Sequence, residues 1–153
     1  MKKNFFLFIF IFIFITSCGF QPLYQINNNK ENFKVNKIQF TGNKNISKKI
    51  YLRIPIKLIK NDELLNKLTI NSYKDIAETS KNSSGQVESY RTSITMNFIL
   101  TDYENKVVKE ITLNKDFLYS VTDNKFKFKE YQMEIENNLI NKIREDLIIF
   151  LNS

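Results

Sequence analysis

The sequence predicts an α+β fold, a two-layer sandwich with two helices on one face of a four-stranded, mostly antiparallel sheet, in the order β-α-β-β-β-α. Three observations carry this. Two long stretches alternate apolar and polar residues with period two, as half-buried strands do. The last two dozen residues carry apolar side chains at i, i+4 spacing without Pro or Gly. A shorter segment between the first two strand patterns repeats isoleucine at the same helical spacing.

The first strand is expected over Val35 to Thr41, where Ile38 and Phe40 alternate with Lys37, Gln39 and Thr41, and Gly42-Asn43 ends it. A helix follows, with Asn45 as candidate N-cap and Ile46, Ile50 and Ile54 on one face. Pro55 ends or kinks it, because its ring removes a donor and clashes with the preceding turn. Ile56 to Leu65 reads either as a short second helical piece or as an irregular connection. From Lys67 to about Thr79 the period is two, with Leu68, Ile70 and Ser72 facing one way.

Ser80 to Gln86 is a turn cluster containing Gly85. The clearest strand comes next. Tyr90, Thr92, Ile94, Met96, Phe98 and Leu100 form its apolar face, while Arg91, Ser93, Thr95, Asn97 and Thr101 form most of a wetter one. Asp102 to Lys106 is a hairpin loop, and Val107 to Val121 the partner strand. The final helix is expected over Phe128 to Leu151, its ladder being Tyr131, Ile135, Leu139, Ile143, Leu147 and Leu151.

Ahead of this domain stands a leader. Lys2 and Lys3 precede an apolar run from Phe5 to Ile15, then the small residues Thr16 and Ser17, then Cys18. At helical rise the run spans only ~16 Å of a ~30 Å hydrocarbon core, too short to stay as a spanning helix. The order apolar, small, small, Cys resembles a bacterial lipobox. It implies cleavage between Ser17 and Cys18, a diacylglycerol thioether on the Cys18 sulfur, and an acyl chain on the new amine. Two or more chains make anchoring stable where one is marginal. The domain plan is a signal peptide at 1–17, the lipidated cysteine and a polar tether at 18–34, and one α/β domain at 35–153.

Cys18 is the only cysteine, and the chain has neither histidine nor tryptophan. Zinc sites built from Cys and His, Ser-His-Asp and Cys-His nucleophile arrangements, and intrachain disulfides are therefore excluded. No enzymatic activity and no cofactor beyond the Cys18 lipid are expected. The formal net charge is +7, of which Lys2 and Lys3 leave with the leader. The remaining excess suits an anionic partner such as a phospholipid head group, and export argues against nucleic acid. The carboxylate pairs Asp62-Glu63 and Glu134-Glu136 have no partner pattern for acid–base work and read as solvated.

After the lipid site comes the heptapeptide Cys18-Gly19-Phe20-Gln21-Pro22-Leu23-Tyr24. It resembles the opening of the LPS-assembly lipoprotein LptE family in its alphaproteobacterial form. The layout that follows is similar too: a long hairpin through Ser83-Ser84-Gly85, the run Tyr90-Arg91-Thr92 to Phe98, Leu100-Thr101-Asp102, the segment Phe117 to Val121, and a long terminal helix. The departure is Ile46 to Asn66, with Pro55 inside. The resemblance implies a Gram-negative outer-membrane lipoprotein, anchored on the periplasmic side. It would plug and support the β-barrel LptD during lipopolysaccharide transport and assembly. Gly19, carrying no charge, permits outward sorting.

Phe20, Pro22, Leu23 and Tyr24 are candidates for docking on the barrel or the membrane interface; the alternative is that they seat the tether on the domain. Arg91, Lys106, Lys109 and Lys125 are candidates for lipid A phosphate contacts, because charge-assisted donors suit phosphate; the alternative is solvated surface charge. Lys109 and Lys115 fall in the apolar phase of their strand, which marks an edge or a sheet end. The competing function is a lipid-binding transport accessory with an apolar cavity of its own.

Overall fold

The structure is a computed structural model that describes residues 33–153 apart from 61 and 63. Two helices pack on one face of a mixed, mostly antiparallel sheet. The strands are β1 (Phe33–Gly42), β2 (Ile56–Leu58), β3 (Asn66–Lys81), β4 (Val87–Thr101) and β5 (Val107–Ser120), and the helices are α1 (Lys44–Tyr51) and α2 (Lys125–Asn152). The spatial order is β2-β1-β3-β4-β5. β1 runs parallel to β2 and β3, and β3, β4 and β5 form two antiparallel hairpins.

The sheet therefore has five strands rather than four. The extra one, Ile56–Leu58, lies in the segment that sequence left open, and it pairs with Phe33 to Val35. Pro55 stands just before it and ends the helical stretch: α1 stops at Tyr51 and a turn carries the chain to Ile54. The true N-cap of α1 is Asn43, whose Oδ1 accepts from the Ile46 N–H at 3.2 Å, not Asn45. β1 begins at Phe33, two residues before the alternation marks it, and α2 begins at Lys125, three residues early. Asn124 Oδ1 caps α2 by accepting from the N–H groups of Phe126 and Lys127 at 3.0 Å each.

Both hairpins close by one device. Asn82 Oδ1 accepts from the N–H groups of Ser84 and Gln86, and Asp102 Oδ1 from those of Glu104 and Lys106, at 2.9–3.0 Å. Gly85 and Asn105 then take positive φ, 78° and 66°. An Asn or Asp that closes its own turn, followed three residues later by Gly or Asn, is the chemistry of a tight turn with a left-handed exit.

The core lies between the sheet and the helices. Leu68 and Ile70 of β3, Ile94, Met96, Phe98 and Leu100 of β4, Ile46 and Ile50 of α1, and Ile135, Leu139, Ile140, Ile143, Leu147 and Leu151 of α2 are all buried. Tyr131, the first rung of the ladder, is 36% exposed because the helix meets solvent there. Ser72, which shares the inward phase, is buried without loss. Its hydroxyl meets Ser47 Oγ at 2.7 Å and donates to the Asn43 carbonyl at 2.9 Å, tying α1 to β3.

Candidate docking surface

Period two in β3, β4 and β5 sends alternate residues away from the helices. The register aligns them in rows: Asn71 with Asn97 and Thr112, Tyr73 with Thr95 and Asn114, Asp75 with Ser93 and Asp116. Neither α1 nor α2 covers this face, since both pack on the other one. At about 3.4 Å per residue the central strand runs about 50 Å, so the open face is large.

Its surface is a network of short polar side chains. Asn97 Nδ2 donates to Glu110 Oε1 and Thr112 Oγ1, both at 3.2 Å. Asn114 Nδ2 donates to Thr95 Oγ1 at 2.7 Å, and Asn71 Nδ2 to the Tyr73 hydroxyl at 3.2 Å. The amide oxygens of Asn71 and Asn97, directly opposed across β3 and β4, accept nothing within the described residues. Both oxygens are buried, where an unmade hydrogen bond costs stability. Tyr73, Val108 and Leu118 stand exposed among these polar groups and supply contact area.

The helical side is locked by ion pairs. Glu136 of α2 meets Lys49 of α1 at 2.6 Å and Lys74 of β3 at 2.7 Å. Partial burial acts to raise its pKa; the hydrogen bonds and charges of the two lysines outweigh this and hold it below the ordinary glutamate value. Glu136 is thus not the solvated carboxylate expected of it. The available signal was Lys74, which continues the inward phase of Leu68, Ile70 and Ser72 and so requires an anion from the helix layer.

The four candidate phosphate contacts do not converge. Arg91 lies on the open face, 3.6 Å from Asp116. Lys125 opens α2, beyond the neighbouring end of β5. Lys106 belongs to the β4–β5 loop at the opposite end of the strands. Lys109 points to the helical side, its ammonium over the rings of Phe150 and Phe33 at 5.5 and 6.0 Å. Lys115 pairs with Asp146 of α2 at 2.6 Å. Both lysines lie on edge strand β5, where a charge in the apolar phase reaches solvent or a partner. Cys18, the Ser17–Cys18 cleavage point, and Phe20, Pro22, Leu23 and Tyr24 lie outside the described residues.

An aromatic cluster closes the core beside the start of α2. Tyr119 packs against Tyr90, Phe128 and Tyr131 at 5.9–6.1 Å, with its hydroxyl 3.0 Å from Thr92 Oγ1 and 3.1 Å from Gln132 Nε2. Two clefts are open to solvent. One of about 410 Å³ lies between α1 and α2 and is lined by Asn43, Asn45, Lys48, Lys49, Lys74 and Glu136 together with the apolar Ile46 and Leu52. One of about 830 Å³ lies by the Asn82 turn, lined mainly by Ser, Asn, Gln, Glu and Asp. Among the described residues no group of three or more His, Cys, Asp or Glu is placed to hold a metal ion, and no helix is long and apolar enough to cross a membrane.

No protein-family model matches the chain, and no curated protein matches it. Solved structures do. The chain is similar to the rare lipoprotein B from Shewanella oneidensis, with TM-score 0.57 and 11% identity over 77% of this chain and 95% of that one. It is similar also to a minor lipoprotein from Acinetobacter baumannii, with TM-score 0.59 and 10% identity over 77% and 89%. At this identity the likeness is one of fold, and the fold is one that bacterial lipoproteins use.

Proposed function

We propose that this chain is a non-catalytic lipoprotein of the outer membrane, acylated on Cys18, which plugs and supports an LptD-type β-barrel in lipopolysaccharide transport and assembly. The observation that carries the reading is the sheet face turned away from α1 and α2. A barrel lumen is polar, so a plug needs a broad surface that hydrogen-bonds rather than one that sheds water. The Thr, Asn and Ser rows of β3, β4 and β5 have that character. The heptapeptide from Cys18 to Tyr24 and the fold shared with bacterial lipoproteins support the same reading. Tethering by lipid raises the local concentration of the domain at the barrel without any new contact.

The competing reading, a carrier with its own lipid cavity, calls for an enclosed apolar void. The two clefts described above are open, and charged and polar groups form most of their borders, so we favour the plug. Co-purification tests it. Tagged protein extracted in mild detergent should bring down a large β-barrel in near-equal amount. A clean preparation of the lipoprotein with no barrel would refute the proposal.

A further inference from the structure

Charge is unevenly placed in this domain. Phe33 to Lys60 carries eight lysine or arginine residues and no aspartate or glutamate, whereas the chain from Asn61 onward carries twelve basic residues against fifteen acidic. The fold collects the basic stretch on one side, because β1, α1 and β2 are consecutive and β2 is the outer strand of the sheet. Lys44 and Lys48 project from α1 at i and i+4, and Leu52, 69% exposed, continues the same stripe. On the edge strand Lys57 and Leu58 are exposed too, one on each face of the strand. Glu136 of α2, which reaches α1, is already taken by Lys49 and Lys74. Lys44, Lys48 and Lys57 make no ion pair among the described residues.

Ammonium groups beside exposed leucines make an interfacial contact, with the charges meeting anionic head groups while the leucines enter the acyl boundary. We infer that the β1–α1–β2 side docks on the anionic phospholipid surface of the bilayer that holds the chain. This goes beyond the barrel reading and rests on Cys18 acylation only for delivery. Phe33, which opens β1, is fifteen residues past Cys18, no more than about 50 Å of chain even fully extended. The side with the excess of positive charge is therefore the one whose first residue is held near the head groups.

The test uses the full acylated chain in lipid vesicles. Since the chain has no tryptophan, Leu52→Trp is a single reporter at an exposed position, and Leu118→Trp on β5, at the other edge of the sheet, is its control. On phosphatidylcholine vesicles containing about one-third phosphatidylglycerol, the Leu52→Trp emission should shift to the blue and be quenched by brominated lipid, and about 0.5 M NaCl should reverse both. On phosphatidylcholine alone neither should occur. Each lysine near an anionic surface is worth roughly fivefold in partition, so Lys44→Gln, Lys48→Gln and Lys57→Gln together should lower the docked-to-undocked ratio on the order of a hundredfold. Emission of Leu52→Trp that is the same on both vesicles, or an equal response from Leu118→Trp, would overturn the inference. Loss of the chain from neutral vesicles counts against the Cys18 anchor alone, because docking is read from the response to anionic lipid.

Discussion

Gly42 is the position where one added methyl group should do most damage. It joins β1 to α1 at φ 63°, a conformation that costs a non-glycine residue about 1–2 kcal/mol. It also lies against β3. The next residue, Asn43, donates its N–H to the Ser72 carbonyl at 2.6 Å, and this approach leaves no room for a side chain. A Cβ on residue 42 would collide with that same carbonyl oxygen and sit 2.7 Å from Asn71 Oδ1. The obstacle is strand backbone, so relief requires shifting β3 away from α1, an overpacking cost of about 1–3 kcal/mol. Gly42→Ala should thus destabilise the protein by about 3–4 kcal/mol. Gly85→Ala is the internal control. Its φ is 78° but nothing lies within 4 Å of the added carbon, so it should lose only the conformational part, about 1 kcal/mol. Urea unfolding followed by circular dichroism, with unchanged slopes, measures both. Equal losses from the two substitutions would refute the close-approach argument.

Ile143→Ala removes a fully buried rung of the α2 ladder and should cost about 2–5 kcal/mol in the same assay. Tyr119→Phe deletes the hydroxyl shared by Thr92 and Gln132 and leaves buried Thr92 without that partner, a loss of about 1 kcal/mol with the aromatic stack retained. Glu136 has a depressed pKa in the folded state, so its contribution is present above the unfolded glutamate value and is lost as pH falls through the folded one. Glu136→Gln should therefore flatten the acid limb of the stability–pH curve and cost about 1–2 kcal/mol at neutral pH, which thermal melts across pH will show. Cys18→Ser should abolish incorporation of labelled fatty acid into the protein, as metabolic labelling reads it, since no acyl chain can be attached through sulfur.

Much of the fold was legible because local chemistry and tertiary demand agree. β4 alternates from Tyr90 to Thr101 with Ile99 as its one apolar outward residue, since one of its faces is core and the other is not. The α2 ladder was equally plain, and the two turns are written in Asn82–Gly85 and Asp102–Asn105. β2 could not be read. Three residues are too few to show a period, and Ile56–Leu58 is a strand only because β1 offers it an edge. Asn43 was passed over as a cap for Asn45 because both residues have capping chemistry; the backbone approach to Ser72 selects the first. The outward phase of β5 holds Glu110, Thr112, Asn114 and Asp116, whose polarity was visible. Their joining to Asn97 and Thr95 depends on a register that only the paired strands define. The separation of Arg91 from Lys106 was legible, since one opens the predicted strand and the other lies in the loop that ends it; the turn of Lys109 toward Phe150 of α2 was not.

The central claim is that the open sheet face meets a barrel wall. Photocrosslinking in living cells tests it most directly, with a crosslinking amino acid placed at Tyr73 and Asn97 on that face and at Met133, an exposed position on α2. The account predicts adducts to one large outer-membrane β-barrel from residues 73 and 97. Adducts to that barrel from residue 133 alone, or to none from any position, would contradict it.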